Sequence, residues 1–141
     1  MSLQPEAIPT IPEETVRVGR AIWPQGNRYM HLREEPGTLY TDELFKELYP
    51  AGGSYAEAPW RLALVTVMQY MENLSDRQAA EAVRTRIDWK YVLSLELTDP
   101  GFDFSLLCEF RQRLLGAGQE EVLLNTVLQL CRERGAERDR G

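Results

Sequence analysis

The stretch LALVTVMQYMENLSDRQAAEAVRTRIDWKYVLSLELTDPGFDFSLLCEFRQRLL, residues 62–115, decides the fold. Its first part, with Trp60 just ahead of it, is apolar nearly all round: Leu62, Leu64, Val65, Val67, Met68, Tyr70 and Met71. A helix of that composition belongs at the centre of a core rather than on its surface. Pro59 suits the first position of that helix, where a missing N–H costs nothing. Ser75 followed by Gln78 predicts a capping box opening a second helix, whose Ala79, Ala80, Ala82 and Val83 form a small-residue buried face. Ile87 to Leu97 reads as a short helix with an irregular exit, and Asp99-Pro100-Gly101 reads as a turn. Asp103 or Ser105 then caps a helix with Leu106, Leu107, Phe110 and Leu114 on its inner side. Trp60, Val67, Met71, Val83, Trp89, Phe110 and Leu114 are expected to be buried. No apolar alternation with period two occurs, so the class is all-α, a single helical domain with a helix-turn-helix-like core.

Outward from this segment the signals weaken. Residues 1–20, with Pro5, Pro9 and Pro12, read as a flexible N-terminal arm with room for a short helix from Thr15 to Ile22. The segment WPQGNRYMHLREEPG, residues 23–37, reads as loop with a short extended piece around Tyr29 to Leu32. Thr41 caps a further helix, with Asp42 and Glu43 in its first turn and Leu44, Phe45 and Leu48 on its apolar side. Residues 119–134 carry Leu123, Leu124, Val127, Leu128 and Leu130 at amphipathic spacing, and Gly135 stops them. The domain is thus expected over 21–134, with 135–141 a charged tail or linker.

Composition bounds the function. The chain has 141 residues, of which 43% are hydrophobic, enough for one domain with a core. No apolar run approaches the ~20 residues of a membrane helix, and no signal peptide opens the chain, so a cytoplasmic location and no membrane partner are expected. Cys108 and Cys131 each sit in a helical apolar pattern and read as free thiols. His31 has no ligand partner at metal spacing, and no P-loop or Rossmann glycine pattern is present. The net charge of −6 is unlike the basic footprint of most nucleic-acid binders. Residues 75–115, however, hold seven acids against six Lys and Arg, whereas residues 1–60 hold nine against five. The excess of acid is therefore concentrated away from the decisive segment.

Four blocks, LSDRQAAEAV (74–83), IDWKY (87–91), DPGFDFS (99–105) and EFRQRL (109–114), occur in this order, with EAPWRLAL (57–64) upstream. In kind and sequence they resemble the N-terminal helical domain of bacterial insertion-sequence transposases of the DDE type. The resemblance implies a DNA-binding and assembly module that recognises terminal inverted repeats during DNA transposition. It also implies that full-length members use three carboxylates and a divalent metal, Mg or Mn, to activate water or a 3′ hydroxyl. In that family the first of these carboxylates lies in a D-S-T-like block on a strand, shortly after the helix that ends here near Arg134. No such block occurs in this sequence, and Asp139 lies in a charged tail with no strand pattern around it. No catalytic residue, metal ligand or cofactor is therefore expected in this chain.

A helix-turn-helix needs a supporting helix and a second helix that enters the major groove. Ser75 to Arg84 suits the first role. For the second, Asp88 to Leu95 follows at the usual distance but is rich in apolar residues. Ser105 to Leu115 offers Ser105, Glu109, Gln112 and Arg113 outward, with Arg111 at the edge, and is preferred. Such side chains hydrogen-bond base edges and phosphates. Arg77, Arg84, Arg86 and Lys90 form a candidate phosphate-contacting ridge. The competing pattern pairs Arg77 with Glu81 and Arg84 with Asp88 at i,i+4, which would consume the charge. A second reading of the whole chain is a homodimerising or protein-interaction module, such as a truncated transposase that regulates the full-length enzyme by mixed assembly.

Overall fold

The structure is a computed structural model that describes residues 9–34, 57–116 and 118. Six helices and no strand occur among them: α1 (Glu13–Ile22), α2 (Arg28–Glu34), α3 (Pro59–Glu72), α4 (Asp76–Thr85), α5 (Ile87–Val92) and α6 (Ser105–Gly116). The helices expected over 41–48 and 119–134, and the tail over 135–141, lie outside the described residues.

Helix α3 runs through the middle. Pro59 opens it, and Asn73 closes it in the left-handed conformation with φ 56°, which frees the last carbonyls to accept from the chain beyond. Residues 62–69 are all buried, so both its flanks are in contact with protein. Helix α6 packs on one side of it, with Leu107, Phe110 and Leu114 turned inward, and α4 packs on both α3 and α6. The capping box at α4 is formed: Gln78 N donates to Ser75 Oγ at 3.2 Å, and Ser75 N donates to Gln78 Oε1 at 2.9 Å. Ala79, Ala82 and Val83 are the buried face of α4, and Ala80 is only partly covered. Of the residues expected in the core, Met71 is likewise only partly buried, while Trp60, Val67, Val83, Trp89, Phe110 and Leu114 are enclosed.

Two expectations are corrected upstream. The extended piece around Tyr29 to Leu32 is instead helix α2. The Asn27 side chain is the reason: its Oδ1 accepts from Tyr29 N at 3.1 Å and Met30 N at 3.0 Å, satisfying the first free amides of a helix. Tyr29, Met30 and Leu32 then bury one side of α2 against α5. The flexible arm over 1–20 does not describe residues 9–20 either, whereas the short helix expected from Thr15 to Ile22 is present and begins two residues earlier. Glu13–Ile22 is helix α1, docked on α5. Thr15, fully buried, donates from Oγ1 to Leu95 O at 2.7 Å. Gly19 lets the α1 backbone approach Tyr91 so closely that a Cβ there would lie 3.1 Å from the ring. Proline spacing signalled irregular chain, but Pro12 sits at the N-cap and the helix begins directly after it.

Candidate nucleic-acid interface

Helices α4 and α5 are separated by Arg86 alone, a break shorter than the roughly three to four residues of a helix-turn-helix turn. Asp88, Trp89, Lys90, Tyr91 and Val92 of α5 are all buried beneath α1, α2 and α4. Of this helix only Ile87 keeps partial exposure. On α6 the order is reversed: Glu109, Gln112 and Arg113 are exposed and Ser105 is partly so, on the side opposite Leu107, Phe110 and Leu114.

Arg111, placed at the edge of that face by its spacing, turns back into the protein. Its Nη1 and Nη2 donate to Asp76 Oδ1 and Oδ2, both at 2.6 Å, in a bidentate pair. Gln69 Nε2 adds a third donor to Asp76 at 2.8 Å. The hydrogen-bonded Arg111 guanidinium holds the Asp76 carboxyl down at about 2, against the partial burial that would raise it. The pair fastens α6 to the first turn of α4.

The ridge of Arg77, Arg84, Arg86 and Lys90 is not assembled. Arg86 turns inward: Nη1 donates to both oxygens of Glu72 at 2.8 Å, Nη2 donates to Asp88 Oδ2 at 2.9 Å, and the guanidinium lies over the Trp89 and Tyr29 rings. Burial raises the Glu72 carboxyl, but the Arg86 and Tyr29 donors outweigh it and the net shift is downward. Lys90 is enclosed, and its Nζ donates to the Asp99 carbonyl. Only Arg77 and Arg84 stay on the exposed side of α4. Arg84 pairs with Glu81 at 2.6 Å rather than with Asp88, which Arg86 has already engaged. Arg77 stacks over Phe104, with its guanidinium carbon 4.2 Å from the ring centre. Arg28 is an exposed cation that the sequence reading did not single out; it lies over Tyr29, 3.8 Å from a Glu72 oxygen. The signal for it was Asn27, which opens a helix and turns Tyr29 inward beside Arg28.

Among the described residues no group of three or more His, Cys, Asp or Glu side chains is arranged to hold a metal. The carboxylates of Glu72, Asp76 and Asp88 are each engaged by arginine. These three carboxylates are thus occupied by guanidinium groups rather than free for a divalent cation. No described helix is long and apolar enough to cross a membrane.

These elements define an all-helical module whose last described helix carries a polar outer face and whose preceding helix is sealed in the core. A family model described as Transposase domain (DUF772) matches residues 23–113, from the turn after α1 to near the end of α6, and the chain belongs to that family. Its role is accordingly associated with transposition. No curated protein and no solved structure matches the chain.

Proposed function

We propose that this chain is a DNA-binding and assembly module of an insertion-sequence transposase, acting in the cytoplasm on the terminal inverted repeats of its element, with α6 as the groove-facing helix. The observation that carries this reading is the contrast between α5 and α6. The first has five of its six residues buried, whereas the second offers Ser105, Glu109, Gln112 and Arg113 outward. Gln and Arg are the side chains that pair bidentately with adenine and guanine edges. Arg77 and Arg84, on the outer side of α4, supply phosphate contacts that set the register. The strand-cutting carboxylates and their Mg or Mn belong to the catalytic part of such transposases, and this chain contributes no catalytic residue.

The test is selection from a random-sequence duplex library, followed by mobility shift of the enriched duplex against a scrambled one. Preferential retention of the enriched sequence, matching a terminal repeat, supports the reading. Equal retention of both, or of neither at low salt, favours the second reading, a homodimerising or regulatory interaction module. That reading has its own support in the net charge of −6 and in three exposed apolar side chains among the described residues, Ile22 (50% exposed), Tyr70 (49%) and Leu115 (57%).

A further inference from the structure

Lys90 is an unusual core residue. It is 2% exposed, and the hydrogen bond seen for its ammonium runs to a backbone carbonyl, that of Asp99. An ammonium taken out of water costs several kcal/mol unless something gained by its placement offsets it. Burial pushes its pKa down, with the nearby Asp99 acting in the opposite direction.

What Lys90 holds is the start of the connection to α6. The Asp99 carboxylate accepts from Gly101 N at 2.8 Å. Gly101 takes φ +78° and sits so close to α4 that a Cβ would lie 3.2 Å from Val83 Cγ1. Two residues on, Asp103 Oδ2 accepts from Ser105 N at 3.0 Å and Asp103 O accepts from Leu106 N at 3.1 Å, opening α6. Phe104 is covered by Arg77. A chain of contacts thus runs from the buried ammonium on α5, through a turn seated on α4, to the first turn of α6.

We infer that Lys90 is a positioning residue for the outer face of α6: it governs DNA recognition by fixing the connection over residues 93–104, not by touching phosphate. This rests on the reading of α6 as the groove-facing helix. Lys90 was a ridge candidate in the sequence, so the two roles make opposite demands. A phosphate contact carries salt dependence without base preference, whereas a positioning contact carries base preference without salt dependence.

The experiment compares the full chain with its Lys90→Met and Gly101→Ala variants, using the duplex enriched by the unmodified chain and a scrambled duplex of the same composition. Gly101→Ala strains the same turn without altering any charge, so it answers the question even where Lys90→Met fails to fold. Both variants should lose about tenfold of the preference for the enriched duplex, within the range one misplaced base contact allows. Both should keep the log–log salt slope of the unmodified chain. Amides of residues 101–107 should exchange hydrogen faster in both, with those of α3 unchanged. A slope reduced by roughly 0.9 in Lys90→Met alone, the signature of one lost phosphate contact, overturns the inference. So does a preference that both variants leave intact. A complete absence of preference in the unmodified chain instead removes the reading of α6 on which the inference rests.

Discussion

Phe110 is 2% exposed and faces the core from the middle of α6, so its ring has no room to be lost cheaply. Phe110→Ala should destabilise the fold by about 3–5 kcal/mol in urea denaturation, the cost of lost burial plus an unfilled cavity. Asp76 gives a pH-dependent counterpart. Its folded pKa of about 2 lies below the ordinary 3.8 because Arg111 binds the carboxylate. The stability it contributes is therefore fully present above about pH 4 and is lost as pH falls toward 2, by about 1–2 kcal/mol. Arg111→Met should flatten that part of the pH–stability curve, and thermal denaturation across the interval measures it. Residue-level legibility was uneven for a physical reason. The Ser75–Gln78 capping box is local in sequence and was readable. Arg111–Asp76 spans two helices, and the choice of Arg84 for Glu81 depended on Arg86 having taken Asp88, neither of which spacing alone reveals.

The helices themselves were legible where one side was apolar over several turns, as in α3, α4 and α6. Helix α2 was not, because its seven residues between Gly26 and Pro36 resemble a loop and its helical signal is the capping Asn27. Helix α1 was read as a short helix within a flexible arm, and its docking was missed because the attachment is polar and distant in sequence. Its Thr15 hydroxyl satisfies Leu95 O beyond the end of α5, and a buried carbonyl without that partner is costly. Thr15→Val keeps the shape and removes the donor, so it should cost about 1–3 kcal/mol by chemical denaturation. A cost near zero would mean that α1 contributes nothing to the fold through this bond. The site was half legible: the sequence identified α6 as the more polar candidate. It missed that Lys90 is enclosed and that Arg86 is turned onto Glu72 and Asp88, because cations in a mixed segment look alike until their partners are placed.

Over the whole molecule, the net charge of −6 weakens long-range attraction to DNA, so on the proposed reading binding depends on a local surface, and with Arg77 and Arg84 as its phosphate contacts the log–log salt slope should be only about 2. Of the candidate residues, those left outward after Arg86, Lys90 and Arg111 are turned inward are Ser105, Gln112 and Arg113 on α6 with Arg77 and Arg84 on α4. Gln112 and Arg113 are its base-reading candidates, and neither belongs to the buried core, so their replacement should leave stability nearly unchanged. The most direct measurement is the affinity of Gln112→Ala and Arg113→Ala for the enriched and scrambled duplexes across a salt series. At least one of them should lose about 1–3 kcal/mol of discrimination at a single base position with the melting temperature preserved. Unchanged affinity and unchanged sequence preference in both variants would contradict it, and α6 would then not be the helix that meets DNA.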